Sequence, residues 1–242
     1  FDVEGVDAAH KLTILASIAF GIPLQFDKVH MEGIGQISTD DVAYARELGF
    51  RIKHLGICRR EGDGIGLRVH PTLLPERQLL ASVDGVMNAV MVNADPLGPT
   101  LYYGAGAGAE PTASAVVADL VDVVREFTLE PENRVPYLAF QSHSLSDEPV
   151  VGMEAVETAY YLRLEAQDEP GVLAEVTSIL SQAGISIEAI IQKQPAPSAE
   201  TVPVILLTHR VREARMNEAC ERIEALEAIH GSVVRIRVEA LA

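Results

Sequence analysis

The stretch from Thr158 to the last residue constrains this chain's architecture more than any other. "AYYLRLEA" alternates as a strand, and "GVLAEVTSILSQAG" carries helical spacing that stops on Gly184. "ISIEAIIQKQ" and "VPVILLTHR" read as two further strands on either side of "PAPSAET". "EARMNEACERIEALEAI" is a second helix, and "SVVRIRVEAL" supplies a last strand. The order βαββαβ predicts a ferredoxin-like split unit over residues 158–242.

The preceding residues are patterned differently. "VDAAHKLTILASIAFG" sets Ala8, Leu12, Leu15 and Ala19 at three- and four-residue spacing, which predicts one apolar helical face ending at Gly21. "STDDVAYARELG" opens on capping residues and acids and closes on Gly49, a second short helix. The extended segments "FRIKHLGICRR", "GLRVHPTLL", "VMNAVMVNA" and "TLYYGAG" follow, separated by "EGDGIG" and "ADPLGP" turns. "TASAVVADLVDVVREF" is a long amphipathic helix opening near Pro111 or Thr112. From Thr128 to Glu157 the chain is rich in Pro, Ser and acids with little period, and reads as a surface connector. The expected class is therefore α+β, with a mixed-sheet domain over 1–127, a connector over 128–157 and the βαββαβ unit over 158–242.

Composition narrows the partners. Thirty-five acidic against 19 basic residues give a formal charge of −16, which disfavours nucleic acid and anionic membrane surfaces. No apolar run approaches the ~20 residues of a membrane span. Cys58 and Cys220 lie far apart and match no metal or redox spacing, which predicts two reduced thiols in a cytoplasmic protein. His70, His143 and His209 are scattered, and no metal site is expected.

Three motifs carry chemistry. Asp7 and Lys11 stand at i and i+4 and project from one helix face. Spacing alone leaves an ordinary exposed ion pair of about 0.3–0.5 kcal/mol as one reading. The flanking Asp2 and Glu4 suggest another, a carboxylate cluster that holds a substrate ammonium while the lysine moves a proton. "YYGAGAGAEPTASAVVADL" spaces Gly104, Gly106 and Gly108 by two before a helix. That loop can cradle a phosphate or let a cofactor pack on bare backbone, or it can simply serve tight packing. "DEPGVLAEVTSIL" puts a Pro-Gly turn before a helix, either as a site for a ligand carboxylate or as a turn in a module used only for assembly.

The last motif, with Asp168, Pro170, Gly171, Val172, Leu173, Ile185, Ile187 and Gln192, resembles the ACT domain, a small amino-acid-sensing module. "DVEGVDAAHKLTILA", followed by "YYGAGAGAEPTASAVVADLVD" and an ACT module, resembles the homoserine dehydrogenases; "HMEGIGQIS", "ARELGFRIKHLGI" and "VHPTLLP" extend the likeness between them. The resemblance implies NADP- or NAD-dependent interconversion of L-homoserine and L-aspartate 4-semialdehyde in threonine and methionine biosynthesis. It implies Lys11 as the proton-transferring, substrate-binding residue, Asp7 as the catalytic acid that binds the substrate or orders a water beside the lysine, and Asp2 as a structural or substrate-orienting acid. Gly106, Ala107 and Gly108 would make a late contact to the nicotinamide cofactor, with the following helix returning towards a nucleotide-binding domain.

Asp168, Pro170, Gly171, Val172 and Leu173 would form the effector site, with L-threonine as effector, and the mixed sheet would pair with its copy in a homodimer or higher assembly. The family's nucleotide-binding domain, with most cofactor contacts and a monovalent-cation loop, would precede Phe1. The chain is thus expected to be a fragment, inactive alone. The competing expectation is a non-enzymatic amino-acid-sensing dimer module, in which Lys11→Ala would be silent.

Overall fold

The computed structural model describes residues 1–130, 134–136, 138–193 and 201–240. The turn expected over 195–200 lies outside the described residues. The elements are α1 (Val6–Phe20), β1 (His30–Met31), α2 (Thr39–Glu47), β2 (Phe50–Glu61), β3 (Gly64–Pro75), β4 (Met87–Ala94), β5 (Gly98–Ala105), α3 (Ala109–Phe127), β6 (Val150–Val151), β7 (Glu157–Gln167), α4 (Val172–Gln182), β8 (Ile187–Gln192), β9 (Thr201–Thr208), β10 (Val211–Arg212), α5 (Glu213–Glu224) and β11 (Ile229–Val238).

The expected α+β architecture is present. β7, β8, β9 and β11 form the antiparallel order β11-β7-β9-β8, with α4 and α5 burying Val176, Leu180, Met216, Ala219 and Ile223 against it. Alternation on β7 sends Leu162 and Leu164 to that face and leaves Tyr161 for the other. α5 stops at Glu224, before the expected Ile229, which already belongs to β11.

β3 joins the two units. It is buried along nearly its whole length, pairs antiparallel with β2 and parallel with β1, β6 and β11. The seam runs through Arg237↔Thr72 and Val238↔Leu73, and the Glu239 N–H donates to the Leu73 carbonyl at 3.0 Å. One nine-stranded sheet results, in place of two separate modules. The second face of the C-terminal unit is covered by α2: Tyr44 and Ala45 pack with Leu73, Tyr161, Ile205, Leu207 and Ile236. Ser38 caps α2 in a reciprocal box with Asp41, whose carboxylate also receives Arg163 from β7 at 2.7 Å.

α1 lies on β2 and β3, but its buried stripe differs from the expected one. Ala9, Leu12, Thr13, Ala16 and Ser17 face the core with Ile65, Leu67 and Val69, while Leu15 and Ala19 are exposed. Hydroxyl chemistry explains the rotation. Thr13 Oγ1 donates to the Ala9 carbonyl and Ser17 Oγ to the Ile22 carbonyl, so both polar groups enter the core satisfied. The connector crosses this unit: the Ser146 N–H donates to the Gly21 carbonyl, and Glu148 meets Arg60.

β4 and β5 form a hairpin of their own, and α3, which begins at Ala109 rather than Pro111, has no buried residue. Val116, Val117, Leu120, Val124 and Phe127 are exposed along it. Among the described residues no helix is long and apolar enough to cross a membrane. The Cys58 and Cys220 thiols are free and pushed up to about 11 by burial.

His70 on β3 is fully buried; its Nδ1 approaches the Pro71 carbonyl and Thr72 Oγ1, each at 3.0 Å, and Nε2 has no partner. Burial first, then the nearby Arg237 charge, push its pKa down to about 3. The folded state therefore holds a neutral ring where the unfolded chain binds a proton below about pH 6.5. Stability should fall with decreasing pH from that point, by up to about 1.4 kcal/mol per unit. Urea titrations between pH 7 and 5 should show this slope, and His70→Asn should flatten it. An equal slope in both proteins would contradict the assignment.

Candidate active site and effector cavity

The first five residues form a tight turn. The Gly5 N–H donates to the Asp2 carbonyl and the Val6 N–H to the Phe1 carbonyl, each at 3.1 Å. Gly5 has φ +79°, and a Cβ there would lie 2.9 Å from Val69 Cγ1 and 3.0 Å from His54. Only glycine fits both the conformation and the space. This fixes where α1 begins. Asp7 and Lys11 then share a face of its first turns, with Nζ–Oδ2 at 2.5 Å and both side chains open to solvent.

Among the described residues the three carboxylates at the start are not joined to Lys11 in one network. Of the three carboxylates only Asp7 pairs with Lys11. Asp2 is exposed and makes no hydrogen bond or ion pair through its side chain among the described residues, and Glu4 turns its Oε2 towards Gly33. The turn at Gly5 carries these two acids off the helix face. His10, adjacent to Lys11, is stacked on Phe26 at 4.0 Å between ring centroids and faces Phe1 at 6.3 Å.

Gly106, Ala107 and Gly108 lead from β5 into α3 and are exposed. Gly106 donates its N–H to the Val86 carbonyl at 3.0 Å, and a Cβ there would collide with Asn88 Nδ2 at 1.7 Å. Gly108 has φ +121° and accepts the first helical bond from Thr112. The N–H groups of Ala109 and Glu110 are thus left without helical partners beside bare backbone, a setting that fits a polar edge of a nucleotide cofactor. No hydrogen bond or ion pair joins residues 88–129 to α1 among the described residues.

In the C-terminal unit the five expected effector residues do come together. Asp168, Pro170, Gly171, Val172 and Leu173 line a cavity of about 390 Å³, closed by Ala166, Gln167, Glu169, Gln192, Val202 and Val204. Gln192 Nε2 donates to Asp168 Oδ1 at 3.3 Å, linking β8 to the turn. Gly171, at φ +105° with open space beyond its Cα, starts α4, whose first N–H groups face the turn. Among the described residues no group of three His, Cys, Asp or Glu side chains is placed to hold a metal ion.

Sequence reading gave no role to Glu32 or Arg237, which meet at 2.8 Å between the two units, although "HMEG" showed an acid beside a glycine.

A mixed-sheet unit opening on an Asp–Lys helix, fused through one sheet to an ACT-like unit, defines the class as an ACT-bearing α+β protein. Residues 1–121 match the family model described as homoserine dehydrogenase, and residues 160–228 match the ACT domain. The chain belongs to the homoserine dehydrogenase family. It is 65% identical over 241 residues to the homoserine dehydrogenase of Pseudomonas aeruginosa, covering all of this chain and 56% of the relative. The Neisseria gonorrhoeae enzyme is 50% identical, with 100% and 55% covered. The solved homoserine dehydrogenase from Thiobacillus denitrificans superposes with a TM-score of 0.91 at 62% identity, covering 99% of this chain and 54% of that one. The chain thus spans about half the length of the curated relatives it matches.

Proposed function

We propose that this chain supplies the substrate-binding and regulatory portion of an NAD(P)-dependent homoserine dehydrogenase, interconverting L-homoserine and L-aspartate 4-semialdehyde. In this reading residues 1–127 carry the catalytic portion, 128–157 connect, and 158–242 sense an amino acid. The observation that carries it is the Asp7–Lys11 contact at 2.5 Å on a helix whose start is locked by Gly5. The Lys11 ammonium gives a proton to the aldehyde oxygen in reduction, and the neutral amine so formed takes the hydroxyl proton of homoserine in the reverse, oxidising direction. A bound nicotinamide would supply the hydride acceptor for oxidation, and the donor for reduction, at the carbon that carries this oxygen. Asp7 holds the lysine nitrogen and offers its free oxygen to the substrate ammonium, and Asp2, in the turn before α1, would serve as a further substrate-orienting acid. Gly106, Ala107 and Gly108 give the cofactor bare backbone at the start of α3.

The exposed apolar faces of α3 and of the β4–β5 hairpin suit contacts within a homodimer and with the rest of a full-length enzyme. A protein of the relatives' full length, assayed for L-homoserine-dependent reduction of NAD and NADP, should turn over; the 242-residue chain alone should not. Absence of turnover by the full-length protein would overturn the reading.

The cavity at the Pro170–Gly171 turn is the proposed effector site. Its acid and amide suit an ammonium group, and the start of α4 suits a carboxylate, which together describe an amino acid such as L-threonine. Calorimetric titration with L-threonine should show binding that Asp168→Ala weakens by about tenfold or more, the loss of one charge-assisted contact. Equal affinity in both proteins would place threonine elsewhere.

A further inference from the structure

Arg237, on β11, is 1% exposed and holds two carboxylates at once. Its Nε and Nη2 donate to Glu213, the first residue of α5, at 2.9 and 2.5 Å. Its Nη1 and Nη2 donate to Glu32 at 2.8 Å each. One planar guanidinium thus forks towards the regulatory helix on one side and the substrate unit on the other.

Glu32 is held through its main chain and its carboxylate alike. Its N–H donates to the Val69 carbonyl at 2.8 Å, its own carbonyl receives His54 Nε2 at 2.9 Å, and its carboxylate contacts His30 at 2.8 Å. Burial raises its carboxyl, but hydrogen bonds from His30 and Arg237 outweigh this and hold it well below the ordinary range. The next residue, Gly33, has no room for a Cβ, which would lie 2.8 Å from the Val3 carbonyl oxygen and 2.9 Å from Glu4. The Ile34 N–H donates to that same Val3 carbonyl at 3.0 Å. His54 and Val69, which hold Glu32, also wall in Gly5. The links from Arg237 to the start of α1 are hydrogen bonds through Glu32 to His54 and Val69, whose side chains leave no room for a Cβ at Gly5.

We infer that Arg237 is a positioning residue that ties the turn before α1, and with it the Asp7–Lys11 pair, to the C-terminal regulatory unit. The kinetic consequence rests on the dehydrogenase reading above; the structural coupling does not. A contrast is available in the same interface. Arg163 also crosses between the units, to Asp41 at 2.7 Å, but its partners are Glu165 on its own strand and this acid of the α2 cap, which also receives the Tyr161 hydroxyl, none of them at the Gly5 turn.

The test uses the full-length protein with Arg237→Met, Arg237→Lys and Arg163→Met. In Arg237→Met, amide hydrogen exchange at residues 2–12 and 30–36 should rise by about tenfold or more, as local opening becomes easier. kcat with L-homoserine should fall by about tenfold or more, with KM for the nicotinamide cofactor within about twofold, because misplacement acts on the chemistry. Arg237→Lys keeps the charge but loses the fork and should fall between the two, giving a readout if the methionine variant does not fold. Arg163→Met should leave exchange at 2–12 and kcat within about twofold. Wild-type exchange at 2–12 in the Arg237 variants, or the same pattern from Arg163→Met, would overturn the coupling. Raised exchange with unchanged kcat would overturn the positioning role. A wild-type protein that does not oxidise homoserine would instead sink the dehydrogenase reading, while the exchange data would still decide the coupling.

Discussion

Lys11→Ala in a protein of the relatives' full length is expected to lower kcat for L-homoserine by about 10²–10⁴-fold, the range over which a positioned proton-transfer group contributes. The argument starts from geometry. Lys11 sits one turn after Asp7 on a helix that cannot slide, since Gly5 leaves no space for a side chain behind it. Alcohol oxidation requires the hydroxyl proton to leave as the carbon–hydrogen bond breaks, and water replaces a fixed lysine poorly. In the proposed role this amine acts on the substrate's oxygen, so KM for the cofactor should stay within about threefold. Asp7→Asn keeps the shape but removes the charge that holds Lys11; its loss should be smaller in kcat and larger in KM for homoserine. The variants should unfold near the wild-type temperature, because an exposed pair contributes only about 0.5 kcal/mol. Near-normal turnover by Lys11→Ala would reduce the pair to a surface ion pair.

The parts of the molecule that local pattern governs were legible in the sequence. The βαββαβ unit follows from period-two strands and period-3.6 helices, each closed by its own turn residues, and the resemblance carried by "DEPGVLAEV" led to five residues that do line one cavity. Gly5 and the Asp7–Lys11 spacing were likewise visible. The buried stripe of α1 was not, because Thr13 and Ser17 read as polar while their hydroxyls are satisfied by main-chain carbonyls. The fusion of the two sheets was hidden for a different reason. β11 and β3 pair across most of the chain, and Arg237 and Glu32 stand 205 residues apart. No local period encodes such a partner; only folding brings them together. Of the acids at the start only Asp7 shares the helix face of Lys11 and reaches it; the left-handed Gly5 sets Asp2 and Glu4 in the turn before the helix, which sequence spacing alone does not show.

Arg68→Met is expected to destabilise the fold by about 3–5 kcal/mol, because it leaves carboxylates at the β3 seam short of a cation. Arg68 on β3 is 1% exposed and reaches Glu61 at 2.9 Å and Glu239 at 3.0 Å. Arg59 contacts the same two acids, Glu61 at 2.6 Å and Glu239 at 3.2 Å, but from a more exposed position. With Arg68 gone, Glu239, itself 4% exposed, keeps only the longer of its two ion pairs. Methionine replaces the aliphatic stem, so packing loss is small and the cost is electrostatic. Arg68 Nε is already a buried donor without a partner, which means the native arrangement is not optimised for stability. The double variant Arg68→Met with Glu239→Leu should therefore recover most of the loss, since a buried ion pair replaced by apolar groups is near neutral. Thermal unfolding should place the single variant roughly 10 °C below wild type and the double variant within a few degrees of it. A single variant that melts with the wild type would mean that Arg59 alone satisfies both acids, and that β3 holds the two units together by its backbone and apolar contacts.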